Sequence, residues 1–163
     1  MARKIAYAAM MAALAMIFSY VEALIPFSFG VPGIKLGLAN LVVLVGLYFM
    51  EQQLVFGILI TRIVLSGFLF ANLSTLLYSL AGGIVSFGVM LLLKRIKGFS
   101  IVGVSIAGGV SHNIAQLVVA AAVVENLYVF SYLPILLIAG MVTGMLIGIV
   151  GERIKLYLVK GKN

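Results

Sequence analysis

Arg62 stands alone inside the apolar run Leu54 to Phe70, nine residues from its start. If that run crosses a bilayer, the guanidinium sits near mid-depth, where an ionised side chain is expensive and its presence points to function. Arginine keeps its proton, so it needs an anionic or carbonyl partner. The other apolar runs carry no Asp or Glu at similar depth, and Glu22 falls near the outer end of the first. Two readings follow. Arg62 faces a cavity and meets an anionic substrate, or it snorkels and bonds helix carbonyls and hydroxyls as a brace.

A second polar group, Ser111, His112, Asn113 and Gln116, lies near the middle of another apolar run. His112 and Gln116 are four residues apart and share a helix face, with Asn113 beside them. Gly108 and Gly109, one turn earlier, leave room for a ligand or a neighbouring helix. These side chains offer donors and acceptors without a fixed charge, which suits a polar headgroup or ring. The alternative is an interhelical hydrogen-bond cluster that holds a bundle together.

Enzymatic chemistry has little to work with. The acids are Glu22, Glu51, Glu125 and Glu152, and there is one His, no Asp and no Cys. These give no paired carboxylates, no metal-ligand spacing, no thiolate nucleophile and no Asp-rich magnesium site for diphosphate chemistry. A phosphate-binding P-loop pattern is absent as well. The expectation is a protein that is not an enzyme, with no catalytic residue, metal or cofactor.

The elements that carry these residues must be membrane helices. The chain is 64% hydrophobic and 9% charged, with mean hydropathy +1.30, far from the balance of a soluble domain. Spans of about 20 apolar residues are expected at 5–24, 36–50, 54–70, 74–93, 99–124 and 133–152. The first resembles a signal peptide in its basic flank, but its length and the lack of a cleavage context make it a retained helix. The break 25–35 holds Pro26, Gly30, Pro32 and Gly33, which interrupt a helix. The 163 residues read as one integral membrane domain.

Charge orients it. Nine of the eleven Lys and Arg residues lie at Arg3 and Lys4, at Lys94, Arg95 and Lys97, and at Arg153, Lys155, Lys160 and Lys162. Basic residues stay on the cytoplasmic side, so these three stretches should share one face. Six crossings achieve this with both termini inside. Five, with 36–50 re-entrant, would put the basic ends on opposite faces. The net charge of +7 suits anionic lipid headgroups. Nucleic acid is not expected, because the cations edge apolar helices instead of forming a stripe with interleaved aromatics.

Two smooth faces are legible. Gly140, Gly144 and Gly148 repeat every four residues, as do Ala8 and Ala12 and, beside them, Ala9 and Ala13. Small residues at this spacing let another backbone come close in lipid. For the glycines the expectation is packing within the chain. For the alanines, packing within the chain and contact with a partner are both open. The aromatic-rich outer segments 25–35 and 125–132 have the makeup of two rims over a pocket, or of membrane anchors.

The segments Lys35-Leu36-Gly37-Leu38-Ala39-Asn40 and Ser111-His112-Asn113-Ile114-Ala115-Gln116-Leu117 resemble the signatures of the Gx transporter family. That family is also called heptaprenyl diphosphate synthase component I, and it is grouped with the substrate-binding S components of energy-coupling factor (ECF) transporters. The resemblance runs over nearly the whole chain. It implies a bundle of six transmembrane helices in a bacterial cytoplasmic membrane that captures a small polar or anionic micronutrient from outside. It also implies docking on a coupling subunit driven by two ATPase subunits, through the Ala8 and Ala12 face of the first helix. His112, Asn113 and Gln116 fit the ligand-binding position of such proteins, with Lys35 closing over the ligand and Asn40 in the same signature segment. Arg62, on the third span, either completes that site or braces it. The synthase name implies a second role, a non-catalytic membrane accessory to isoprenoid or quinone synthesis.

Overall fold

The computed structural model describes residues 2–24 and 37–160. Lys35 and the expected rim at 25–35 lie outside the described residues. Within them the chain forms α1 (Ala2–Leu24), α2 (Leu38–Phe49), α3 (Gln52–Phe70), α4 (Leu73–Arg95), α5 (Ile101–Val124), a 3-10 segment (Leu127–Tyr132) and α6 (Leu133–Lys160). No strand is present among the described residues. Side-chain caps set several of the starts: Asn72 accepts from Thr75 N at 2.8 Å and Ser100 from Gly103 N at 3.0 Å. The expected break after Val124 is itself partly helical, because Asn126 accepts from Tyr128 N at 2.9 Å and starts the 3-10 turn.

α1, α3, α4, α5 and the 3-10 segment running into α6 are long and apolar enough to cross a membrane. α2 differs. Its twelve residues measure about 18 Å, well short of a hydrocarbon core of about 30 Å. It is apolar apart from Asn40 and Tyr48, and Ala39 and the run Val42 to Leu47 are buried, as expected of a helix enclosed by protein. α6 in turn outruns its expected end at residue 152 and stays helical to Lys160. The charges there mark the edge of the apolar stretch, but after Gly151 no helix breaker intervenes before Gly161.

The glycine stripe of α6 packs within the chain, as expected, and its partner is α5. A Cβ on Gly144 would lie 2.8 Å from Ile106 Cα and Ser105 O, and one on Gly148 2.7 Å from Val102 Cα. From the other side, a Cβ on Gly109 would lie 2.5 Å from Gly140 O. The backbones of α5 and α6 touch, so the space beside Gly109 is taken by a helix.

The two alanine pairs of α1 differ in surroundings. Ala8 and Ala12 are half-buried and pack on the cluster of Ala15, Val42 and Ile58, whereas Ala9 and Ala13 are exposed. The smooth Ala8 and Ala12 face thus lies against α2 and α3.

Contacts between distant parts of the chain gather five helix ends. Lys4 pairs with Glu51 between α2 and α3, and Lys94 donates to the Leu47 carbonyl. Both Lys94 and Lys155 stand over the Tyr48 ring. The start of α1, the α2–α3 turn, the end of α4 and the end of α6 therefore share one end of the bundle. At the other end Tyr20 of α1 meets Phe70 of α3, ring centroids 5.1 Å apart.

Candidate functional site

A cavity of about 670 Å³ opens between the helices, and all six contribute to its wall. Its volume is that of a small-molecule site. The lining runs from Glu22, Phe70 and Asn72, away from the lysine end, down to Ser86, Met90 and Ser105. Arg62, Asn40, His112, Asn113 and Gln116 all line it. The structure thus brings together on one wall two polar groups that lie some fifty positions apart in sequence.

The first half of the site is built around the start of α2. Gly37 caps that helix with φ +74°, a left-handed conformation that suits glycine. Its N–H donates to the Glu22 carboxylate, and a helix N-terminus favours such a charge. One turn on, Asn40 Oδ1 accepts from Arg62 Nη2 at 2.9 Å. Glu22 also acts electrostatically on Arg62. Glu22 lies near the end of α1, as the sequence indicates, and its side chain shares the cavity wall with Arg62. The bond to Gly37 holds the Glu22 carboxylate over the start of α2, one turn from the residue that Arg62 grips. Among the described residues, Arg62 Nε and Ser19 Oγ are buried without a hydrogen-bond partner. Buried donors in that condition are costly, and both belong to side chains on the cavity wall.

The second half lies on α5. His112 and Gln116 share a face and lie against Gly82 of α4, where a Cβ would come 2.9 Å from His112 Cε1 and 2.8 Å from Gln116 Cγ. Glycine at 82 is what lets these two side chains lie between α4 and α5. Asn113 turns toward α6 and donates from Nδ2 to the Leu136 carbonyl at 2.7 Å. Of the two readings of the cluster, interhelical bonding describes the amide of Asn113. Ser111 bonds its own helix, Oγ to Gly108 O at 3.1 Å, and does not line the cavity.

Further lining residues escaped the sequence reading. Thr75, Ser79 and Ser86 on α4 and Ser66 on α3 all reach the wall. A signal existed: Thr75, Ser79, Gly82 and Ser86 recur at helical spacing on α4, as do Ser105, Gly108, His112 and Gln116 on α5. Two facing stripes of small and polar residues in apolar helices mark a shared polar interior. Small hydroxyls are easily passed over, since each can bond its own helix, as Thr143 does to Ala139 O at 2.8 Å.

Chemically, the wall sets one cation and one anion, Arg62 and Glu22, near each other on one side. Uncharged donors and acceptors cover much of the rest. Such a surface can offer a polar molecule several hydrogen bonds at once.

A sequence model of the family described as heptaprenyl diphosphate synthase component I matches residues 11–154. No curated protein and no solved structure matches the chain at a significant level. The matched stretch runs from within α1 to within α6 and includes every residue of the cavity wall. On this match, the chain belongs to the heptaprenyl diphosphate synthase component I family.

Proposed function

We propose that the chain is the substrate-binding membrane subunit of an ECF-type importer, which captures a small polar or anionic micronutrient and passes it to a coupling subunit driven by two ATPases. The observation that carries this reading is the cavity of about 670 Å³, polar-walled inside an apolar bundle, with Arg62 and Gln116 on its wall. Polar side chains inside an apolar bundle are expensive unless they meet polar partners, so a polar occupant is their natural counterpart. Arg62 on the wall supplies a cation for an anionic group. Glu22 balances part of the charge of Arg62, so the occupant need not carry more than one negative charge.

In this reading α1 to α6 all cross the bacterial cytoplasmic membrane, with α2 shielded by its neighbours, and both termini are cytoplasmic. The basic ends support it, since Lys4, Lys94 and Lys155 meet at one end of the bundle. A cysteine placed at Asn126 should be labelled by an impermeant reagent on intact cells, and one at Lys97 should not. The converse pattern would reject the orientation. Docking on the coupling subunit falls to the exposed Ala9 and Ala13 on α1, flanking the half-buried Ala8 and Ala12.

The family name favours a second reading, a non-catalytic membrane accessory to isoprenoid synthesis. A prenyl chain calls for an apolar groove, and the Ser, Thr, Asn and Gln side chains of the wall argue against that occupant. Mass spectrometry of small molecules that co-purify with the detergent-extracted protein separates the two. A water-soluble compound that is lost in Arg62→Leu supports the importer. A prenyl lipid retained by both proteins supports the accessory and rejects the importer.

A further inference from the structure

At the end of the bundle opposite the outer rim, Lys94 of α4 and Lys155 of α6 converge on one aromatic ring. Their Nζ atoms stand 5.1 Å and 4.9 Å from the centroid of Tyr48. Each is half-buried, whereas Arg3, Lys4, Arg95, Lys97, Arg153 and Lys160 at the same end are exposed. Two ammonium groups held partly out of water, close enough for Lys155 to act on Lys94 as a like charge, repel each other. Among the described residues neither has a carboxylate within 4.0 Å: Glu51 is paired with Lys4, and Glu152, one turn before Lys155 on α6, is exposed and stays beyond that distance. Lys94 is also tied down by its bond to the Leu47 carbonyl at the end of α2, so it cannot simply swing away into solvent.

The Tyr48 ring compensates part of this charge, since each cation lies within range of a ring quadrupole. A phenol carries no net charge, however, and leaves two positive charges unneutralised. We propose that Lys94, Lys155 and the rim of Tyr48 form a binding site for a phosphate-type oxyanion. A phosphate accepts from two ammonium groups at once and cancels the repulsion between them. The site lies where α4 ends, at Arg95, and where α6 continues past its neighbours to Lys160. At a membrane surface this is the level of lipid headgroups, so two sources share the chemistry: the headgroup of an anionic phospholipid and free inorganic phosphate. The site is separate from the cavity, whose wall includes neither lysine.

The test uses the full chain in nanodiscs of phosphatidylcholine, with and without phosphatidylglycerol, and in detergent with inorganic phosphate. Thermal unfolding and native mass spectrometry of retained lipid are the readouts. Lys155→Gln is the principal variant, because the bond from Lys94 to α2 survives in it, and the exposed Lys97→Gln is the control. Phosphatidylglycerol should raise the unfolding temperature of the wild type. Its retention should fall about fivefold or more in Lys155→Gln and stay near wild type in Lys97→Gln, with Lys155→Gln at least as stable as wild type in pure phosphatidylcholine, where it relieves the repulsion, and Lys97→Gln unchanged. A shift reproduced by phosphate alone, and lost in Lys155→Gln, supports the site with the free anion as its source. Equal retention in the two variants, or no response to either anion, overturns it.

Discussion

Arg62 reaches from the middle of α3 to the first turn of α2, where its Nη2 donates to Asn40 Oδ1 at 2.9 Å. This bond orients the one arginine on the cavity wall. Asn40→Leu should lower stability by about 1–3 kcal/mol, the penalty for a buried charged donor deprived of its acceptor. Asn40→Asp keeps an acceptor and should retain most of that stability. Thermal unfolding in detergent compares them. Wild-type stability in Asn40→Leu would mean that Arg62 is held by something else.

Neighbours on α5 should separate into two kinds. Gln116→Leu should weaken ligand binding about tenfold or more, the loss of one or two good hydrogen bonds, while the protein stays folded. Asn113→Leu removes the bond to Leu136 O and should reduce stability by about 0.5–1.5 kcal/mol, in the range of interhelical bonds in membranes. Binding and unfolding measured on the same preparations decide the matter. Lost stability and unchanged affinity in Gln116→Leu would make that residue structural.

The α5–α6 seam gives a sharper contrast. Gly144→Ala pushes a methyl group against Ile106 Cα and Ser105 O, each 2.8 Å from the new atom. Backbone cannot rotate away as a side chain can, so the helices must part, at about 1–3 kcal/mol. At Gly57 a Cβ meets open space, and Gly57→Ala should match or exceed wild-type stability, by up to about 1 kcal/mol. Equal unfolding temperatures for the two variants would contradict the seam.

The ion pair between Lys4 and Glu51 sets a pH dependence. Its hydrogen bond to Lys4, with the charge of that lysine, holds the exposed Glu51 carboxyl below its ordinary value of 4.5. A depressed folded-state value stabilises the fold above the unfolded pKa, and that stabilisation disappears as pH falls through the folded value. The wild type should therefore lose more stability than Lys4→Gln on acidification from pH 6 to about pH 3. The difference should be small and shrink in high salt, as for any exposed pair. Parallel pH profiles would show that the pair contributes nothing.

How much of this could be read from the chain depends on what each feature encodes. The Gly140, Gly144 and Gly148 stripe foretold close packing, because spacing alone fixes a helix face. Its partner was hidden, since the surface that receives it is the backbone of Ser105, Ile106 and Val102. Likewise the spacing of Ala8 and Ala12 gave a smooth face but not the side on which a neighbour lies. The polar face of His112 and Gln116 was legible, and so was the isolation of Arg62. Their meeting on one wall depends on how α3 and α5 are arranged about the cavity, and spacing within one helix carries no such information. The influence of Glu22 on Arg62 depends on the left-handed turn at Gly37, where α2 begins.

The enclosed α2 has a consequence for how the protein is made. A helix of twelve residues cannot bury its ends in lipid alone, and its terminal carbonyls and amides need protein partners. One of those partners is Lys94, from α4. Part of its side wall is α6, where Gly151 fits against Leu44 and Gly37 against Ile147. Both arrive late in synthesis, more than forty and about a hundred residues after α2 itself. During translation α2 can rest first on α1 and α3, and its walls are complete only when the last helix emerges. A ribosome-bound chain arrested before α6 would lack that closing wall and leave the second helix more open to proteases than in the finished protein.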